Sequence, residues 1–293
     1  MIKPPPFDKN KKIGIVALAG PMDSDIVLEG EDYLKSLGYD VLIAPSCFER
    51  NRYLAGNSDE ERALDLKMLF AEDEIGAILN MRGGYGSNRL MPYIYDFNFA
   101  NYPKLFIGYS DITYMHIYLN QKHNLITYHG PMIKDLLKNE KMTIDGFTKT
   151  ALEGEPLILK GVCFLVKEGE ASGRTVGGNL SIVCSTLGTM NEIDTRGKIL
   201  FLEEVNEEPY VLDRLLMQLV YAGKIYDCAG IILGDFSGAD KSEIMKTIRK
   251  VLLPAGKIIA ADIPAGHTSP NLTIPLGAMC VLDVASGSIV FEE

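Results

Sequence analysis

The chain has 293 residues, 47% hydrophobic and 23% charged, the balance of a folded globular protein with room for one large domain or two. Its 39 acidic against 29 basic residues leave a formal net charge of −10, the wrong sign for neutralising nucleic-acid phosphates or an anionic membrane surface. Apolar runs break at charge, Gly or Pro well short of the roughly 20 residues that span a bilayer, which excludes a transmembrane helix.

In chain order, the first half alternates short β-rich runs with helical patterns. Residues 12–17 read as a continuous apolar strand; Ala17-Leu18-Ala19 has some likeness to a signal-peptidase site, but Pro4-Pro5-Pro6 is a poor leader and a buried first strand is the better reading. A helix over 24–37 stops at Gly38, a strand follows over 39–44, and a second helix over 58–71 opens with Ser58 and Glu61 at capping-box spacing. Strands at 75–80 and 105–108, a helix at 111–121 and a strand at 125–128 complete this half. Unbroken apolar strands between helices predict a parallel sheet covered on both faces.

From about 152 to 174 the pattern changes to short apolar runs among Gly, Glu and Lys, which reads as a crossing between domains. The expected division is 1–152, a crossing at 153–174, and a smaller α/β domain over 175–293. That second part reads as helix 179–187, strand 198–202, helix 211–222, strand 230–233, helix 241–253, strand 257–263 and closing strands at 276–284 and 288–291. Five cysteines, an odd number without a CxxC pair, predict reduced thiols in a cytoplasmic protein and no structural zinc.

Loops at the carboxyl ends of parallel strands are where ligands bind, and four such loops are rich in Gly, Pro and polar residues. Ser110 stands in one of them, at a sharp strand-to-helix transition. Gly108-Tyr109-Ser110-Asp111-Ile112 meets only half of a GxSxG nucleophile elbow, so Ser110 reads either as a nucleophile or as a helix cap. Of four histidines, His116, His123 and His129 read as structural or solvated, and their spacings do not fit a helical metal pair. His267 lies in a polar loop past a strand, where core packing is a poor explanation.

Glu203 ends an apolar strand, so its carboxylate needs a donor, and a histidine is a natural one. Glu204, Glu207 and Glu208 read as a solvated acidic loop. Ser110, Glu203 and His267 together make a nucleophile, an acidic orienter and a general base in the chain order of α/β-hydrolases. In Arg82-Gly83-Gly84-Tyr85-Gly86 the glycines expose backbone amides. Either they cradle a phosphate, without a GxGxxG run or a Walker lysine, or the amides of Gly84 and Asp111 form an oxyanion hole.

The series RGGYGSNRLMPYIYDF, FIGYSDITYMHIYL, YHGPM, GGNLSIVCSTLGT, ILFLEEVNEEPYVLDRLLMQL, IILGDF and PAGHTSPNLTIPLGA resembles, in order and across nearly the whole chain, the LD-carboxypeptidase family of serine peptidases. Departures are small: Ala19-Gly20-Pro21 after the first strand, and Met115 in place of a commoner leucine. The resemblance implies a Rossmann-like N-terminal domain carrying the nucleophile and a smaller α/β domain carrying the other two triad residues, in a cytoplasmic, cofactor-free and metal-independent homodimer. It makes Ser110, Glu203 and His267 the triad, and the amides of Gly84 and Asp111 the oxyanion donors. The implied reaction is hydrolysis of the amide between the L-centre of a diamino acid and a terminal D-alanine in muropeptide tetrapeptides, during cell-wall recycling. Arg82 is the candidate for the substrate's free carboxylate, against the duller reading that it braces its own loop. The same fold family includes microcin-immunity-type hydrolases of peptidyl-nucleotide antibiotics, which stack a nucleobase on aromatic residues; the absence of tryptophan weakens that alternative, although 14 tyrosines are available. A non-catalytic binding protein of the same fold is the third reading.

Overall fold

The computed structural model describes residues 1–166, 168–238 and 240–292. In the first half the apolar runs become β1 (Lys12–Val16), β2 (Asp40–Ile43), β3 (Ile75–Asn80), β4 (Leu105–Gly108) and β5 (Thr127–His129). Between them run α1 (Ser24–Ser36), α2 (Asp59–Ala71) and α3 (Thr113–His123). The strands pair in the parallel order β5-β4-β3-β1-β2. The three central strands β1, β3 and β4 are almost wholly apolar because helices cover both faces, and Ile13, Ile78, Leu79, Phe106 and Ile107 are fully buried. Ser58 caps α2 by accepting from the Glu61 amide at 3.1 Å, but the Glu61 carboxylate turns to the Asn57 amide at 2.5 Å, so only half of the expected capping box forms.

The second half holds β6 (Leu157–Lys160), β7 (Cys163–Phe164), β8 (Glu170–Asn179), α4 (Leu180–Ser185), β9 (Ile199–Val205) and α5 (Pro209–Tyr221). After these come β10 (Gly230–Ser237), α6 (Lys241–Leu252), β11 (Ile258–Ala261), β12 (Ile274–Leu276), β13 (Met279–Asp283) and β14 (Ser288–Glu292). An eight-stranded sheet runs β6-β14-β13-β8-β9-β10-β11-β7. Its centre, β8 to β11, is parallel, and both flanks are antiparallel.

Four strands escape a periodicity reading: β6 and β7, which lie in the stretch expected to be a crossing but belong to the second sheet, and β8 and β12. β8 carries EASGRTVGGN, too polar and glycine-rich to look like a strand, yet it is central because its glycines let other chains come close. A Cβ on Gly178 would lie 2.4 Å from Thr113 Oγ1, and the Asn179 amide donates to that hydroxyl at 3.0 Å. β12 is only three residues long and leaves the second half to pair antiparallel with β5, as the sixth strand of the first sheet. Helix α3 thus lies between the two halves, which is why all residues from Thr113 to Asn120 are buried. All five cysteines are free thiols, Cys163 alone exposed.

Candidate active site

β4 delivers the chain to Ser110 under tight control. The Gly108 carbonyl, two residues upstream, accepts from His116 Nε2 at 2.8 Å and from the Gly130 amide at 3.1 Å. Ser110 then adopts φ +64°, the left-handed region that an L-serine occupies only at a cost of about 1–3 kcal/mol. Its side chain caps nothing: among the described residues the hydroxyl makes no hydrogen bond, and a short 3₁₀ turn, Ser110–Ile112, leads into α3. A strained, unpartnered hydroxyl at a strand-to-helix turn is the geometry of a nucleophile elbow.

The glycine loop is built against that elbow. A Cβ on Gly83 would sit 2.7 Å from both Cβ and Oγ of Ser110, so only glycine allows the approach. The Asp111 carboxylate accepts from the Ser87 amide at 2.8 Å, while Ser87 Oγ donates to the Asp111 carbonyl at 2.7 Å. Burial raises the Asp111 carboxyl above its ordinary value, against the pull of these donors. Below the loop, fully buried Arg62 donates to the Leu18 carbonyl at 2.5 Å and pairs with Asp59. Arg82 donates through Nε to the Gly83 carbonyl at 3.2 Å and through Nη1 to the Pro21 carbonyl at 2.9 Å. Gly84 has φ +122°, and its amide donates to no group among the described residues.

The other two residues arrive from the second half. Glu203, fully buried near the end of β9, accepts from His267 Nδ1 through Oε2 at 2.8 Å. An ionised carboxylate can only accept, so the proton sits on Nδ1 and Nε2 is left as the basic nitrogen. The loop bearing His267 lies directly on Glu203: Gly266 has φ +112°, and a Cβ there would fall 2.6 Å from Glu203 Oε2. Burial lowers the His267 pKa, but the hydrogen bond and charge of Glu203 outweigh it and hold the imidazole above its ordinary value. Glu203 itself is pushed up by burial and pulled down by His267.

Ser110 and His267 share one cleft of about 170 Å³, together with Arg82, Gly83, Gly84 and Lys134. No hydrogen bond joins Ser110 Oγ to His267 Nε2, a looseness common before substrate binds. Glu203 stands behind the imidazole. A larger hollow of about 380 Å³, among Lys11, Tyr102 and Lys104, lies at the opposite, amino ends of the first sheet's strands and contains none of these residues.

Sequence reading missed several residues of this site. The Tyr109 ring stands edge-on to His267 at 4.9 Å between centroids. Lys134 and Asp135 come from the short helix Ile133–Leu137, where nothing in the spacing marks them. Glu204 corrects the solvated-loop reading: it is only 4% exposed and accepts from Asn179 Nδ2 at 2.9 Å, Ser181 Oγ at 2.6 Å and the amides of Ser181 and Val205 at 2.8 and 2.9 Å. His116 and His129 are fully buried packing histidines, held below the ordinary imidazole range by burial. Among the described residues no three His, Cys, Asp or Glu side chains converge as a metal site requires.

Residues 13–130 match the LD-carboxypeptidase N-terminal domain and residues 172–282 the LD-carboxypeptidase C-terminal domain. A probable murein peptide carboxypeptidase of Bacillus subtilis (strain 168) is 36% identical, over 99% of this chain and 94% of its own. Among solved structures, muramoyltetrapeptide carboxypeptidase from Oxalobacter formigenes superposes with TM-score 0.86 at 27% identity, covering 97% of this chain and 99% of that one. An MccF-like protein from Bacillus anthracis str. Ames gives TM-score 0.89 at 25% identity, covering 100% and 99%. A serine on a strained elbow, a buried Glu–His pair and matches running the length of the chain lead to one conclusion: this protein belongs to the LD-carboxypeptidase family of serine peptidases.

Proposed function

We propose that Ser110, Glu203 and His267 form the catalytic triad of a carboxypeptidase that removes terminal D-alanine from the L-centre of a diamino acid in muropeptide tetrapeptides. The observation that carries this is the 2.8 Å bond from His267 Nδ1 to buried Glu203, which leaves Nε2 basic in the cleft that holds the unpartnered Ser110 hydroxyl. His267 Nε2 takes the Ser110 proton as Oγ attacks the scissile carbonyl carbon. The negative charge that develops on the carbonyl oxygen is met by the amides of Gly84 and Asp111, each worth on the order of 100- to 1,000-fold in turnover. The imidazolium, held by Glu203, gives its proton to the departing D-alanine amine, and water then hydrolyses the acyl-enzyme along the same proton path.

The substrate class is supported by two similar proteins, the probable murein peptide carboxypeptidase of Bacillus subtilis and the muramoyltetrapeptide carboxypeptidase of Oxalobacter formigenes. A cytoplasmic homodimer that recycles cell-wall peptides, divided as 1–152 and 175–293, fits the same reading; no helix among the described residues is long and apolar enough to cross a membrane. The likeness to the MccF-like structure favours a second reading, cleavage of a peptidyl-nucleotide antibiotic, at lower identity than the murein relative.

The test is D-alanine release from L-Ala-γ-D-Glu-meso-diaminopimelate-D-Ala by the wild type and Ser110→Ala, both in excess chelator. Release that survives chelator and disappears in the mutant is expected. A folded wild type inert toward this peptide and its lysine counterpart, but active on a peptidyl-nucleotide, would replace the first reading by the second.

A further inference from the structure

An exopeptidase differs from an endopeptidase by meeting the charge at the chain end. When one residue leaves, that carboxylate lies within roughly 4 Å of the carbon the nucleophile attacks, so its partner must line the same cleft. Two basic side chains longer than an imidazole do so, Arg82 and Lys134. They are not equivalent. Arg82 is half-buried, with Nε and Nη1 already given to the Gly83 and Pro21 carbonyls, so it holds the glycine loop in place. Lys134 is exposed, and among the described residues its ammonium has no hydrogen bond or ion pair.

The neighbouring carboxylate does not neutralise it. Asp135 is buried and already engaged, by the Met132 amide at 3.2 Å and by Lys138 Nζ at 3.1 Å. The cleft of a chain with net charge −10 therefore presents one uncommitted cation beside the nucleophile. Resting on the carboxypeptidase reading for the identity of the substrate, we propose that the Lys134 ammonium binds its free C-terminal carboxylate and so makes the enzyme an exopeptidase. Arg82 serves that site indirectly, by fixing the amides of its loop.

The experiment compares kcat/KM for the tetrapeptide as the free acid and as its C-terminal amide, in the wild type, Lys134→Met, Lys134→Arg and Arg82→Met. Circular dichroism and fluorophosphonate labelling of Ser110 report whether each variant keeps its fold and nucleophile. The wild type should prefer the acid by roughly 10- to 100-fold, the worth of a charge-assisted hydrogen bond. Lys134→Met should bring that ratio close to one, chiefly through KM, and Lys134→Arg should restore most of it. A ratio that survives in Lys134→Met, or collapses only in Arg82→Met, overturns the proposal. If the wild type cleaves neither peptide, the carboxypeptidase reading fails, and slowing of the fluorophosphonate reaction becomes the readout. Protection by the acid but not the amide, lost in Lys134→Met, then supports the carboxylate site; equal protection by both, or none, overturns it.

Discussion

Glu203 has no solvent to stabilise its charge, so burial raises its pKa against the pull of the 2.8 Å bond to His267, while the same bond raises the imidazole. The sign of the resulting pH dependence follows from the imidazole. His267 acts as a base only when neutral, and Glu203 holds its pKa above the ordinary imidazole value of 6.5, so kcat/KM should climb with pH and reach half-maximum above 6.5. Replacing Glu203 by Gln removes the carboxylate that lifts the imidazole and leaves the burial that lowers it. In Glu203→Gln the limb should therefore move below that of the wild type while kcat falls by on the order of 10⁴-fold, because the amide no longer secures the productive tautomer. A pH–rate profile of both proteins checks this; a limb that stays in place would mean that it reports another group.

At the scale of elements, burial explains what was legible. β1, β3 and β4 could be read because their apolar runs answer to two covered sheet faces, and the loop after β4 and the end of β9 drew attention to Ser110 and Glu203 because ligands bind at the carboxyl ends of parallel strands. β8 could not, since the approach of Thr113 selects glycine where a strand reading expects β-branched residues. Nor could Glu204: in Glu-Glu-Val-Asn-Glu-Glu nothing local separates a carboxylate that enters the protein from those that face water. Its acceptors hold the first turn of α4 and the end of β9 together, so removing them leaves buried donors unpaired. Glu204→Ala should cost about 2–3 kcal/mol of unfolding free energy, measured by urea denaturation, several times the effect of a surface substitution such as Glu207→Ala.

For the whole molecule, the question is how a histidine from one half stays beside a serine of the other. The segment bearing His267 is tied down on both sides. Upstream, the Ala265 carbonyl accepts at 2.9 Å from the amide of Asp235, within β10 of the second sheet. Downstream, the Asn271 amide donates to Thr143 Oγ1 at 2.9 Å, Thr273 packs under Gly130 and Gly146, and β12 joins the first sheet. Asn271 closes the loop on itself, since its Oδ1 accepts from the Gly266 amide at 2.9 Å. A chain sewn across its halves in this way should unfold as one unit, with far-UV circular dichroism and the fluorescence of its tyrosines tracing the same urea transition. Asn271→Ala strands the buried Gly266 amide and loosens the seam, so it should shift that single transition by about 1–3 kcal/mol without splitting it. Two separated transitions in the wild type would mean that the halves fold independently and that this segment is a tether between them. His267 would then depend on substrate to meet Ser110, and Asn271→Ala would raise KM while leaving unfolding almost untouched.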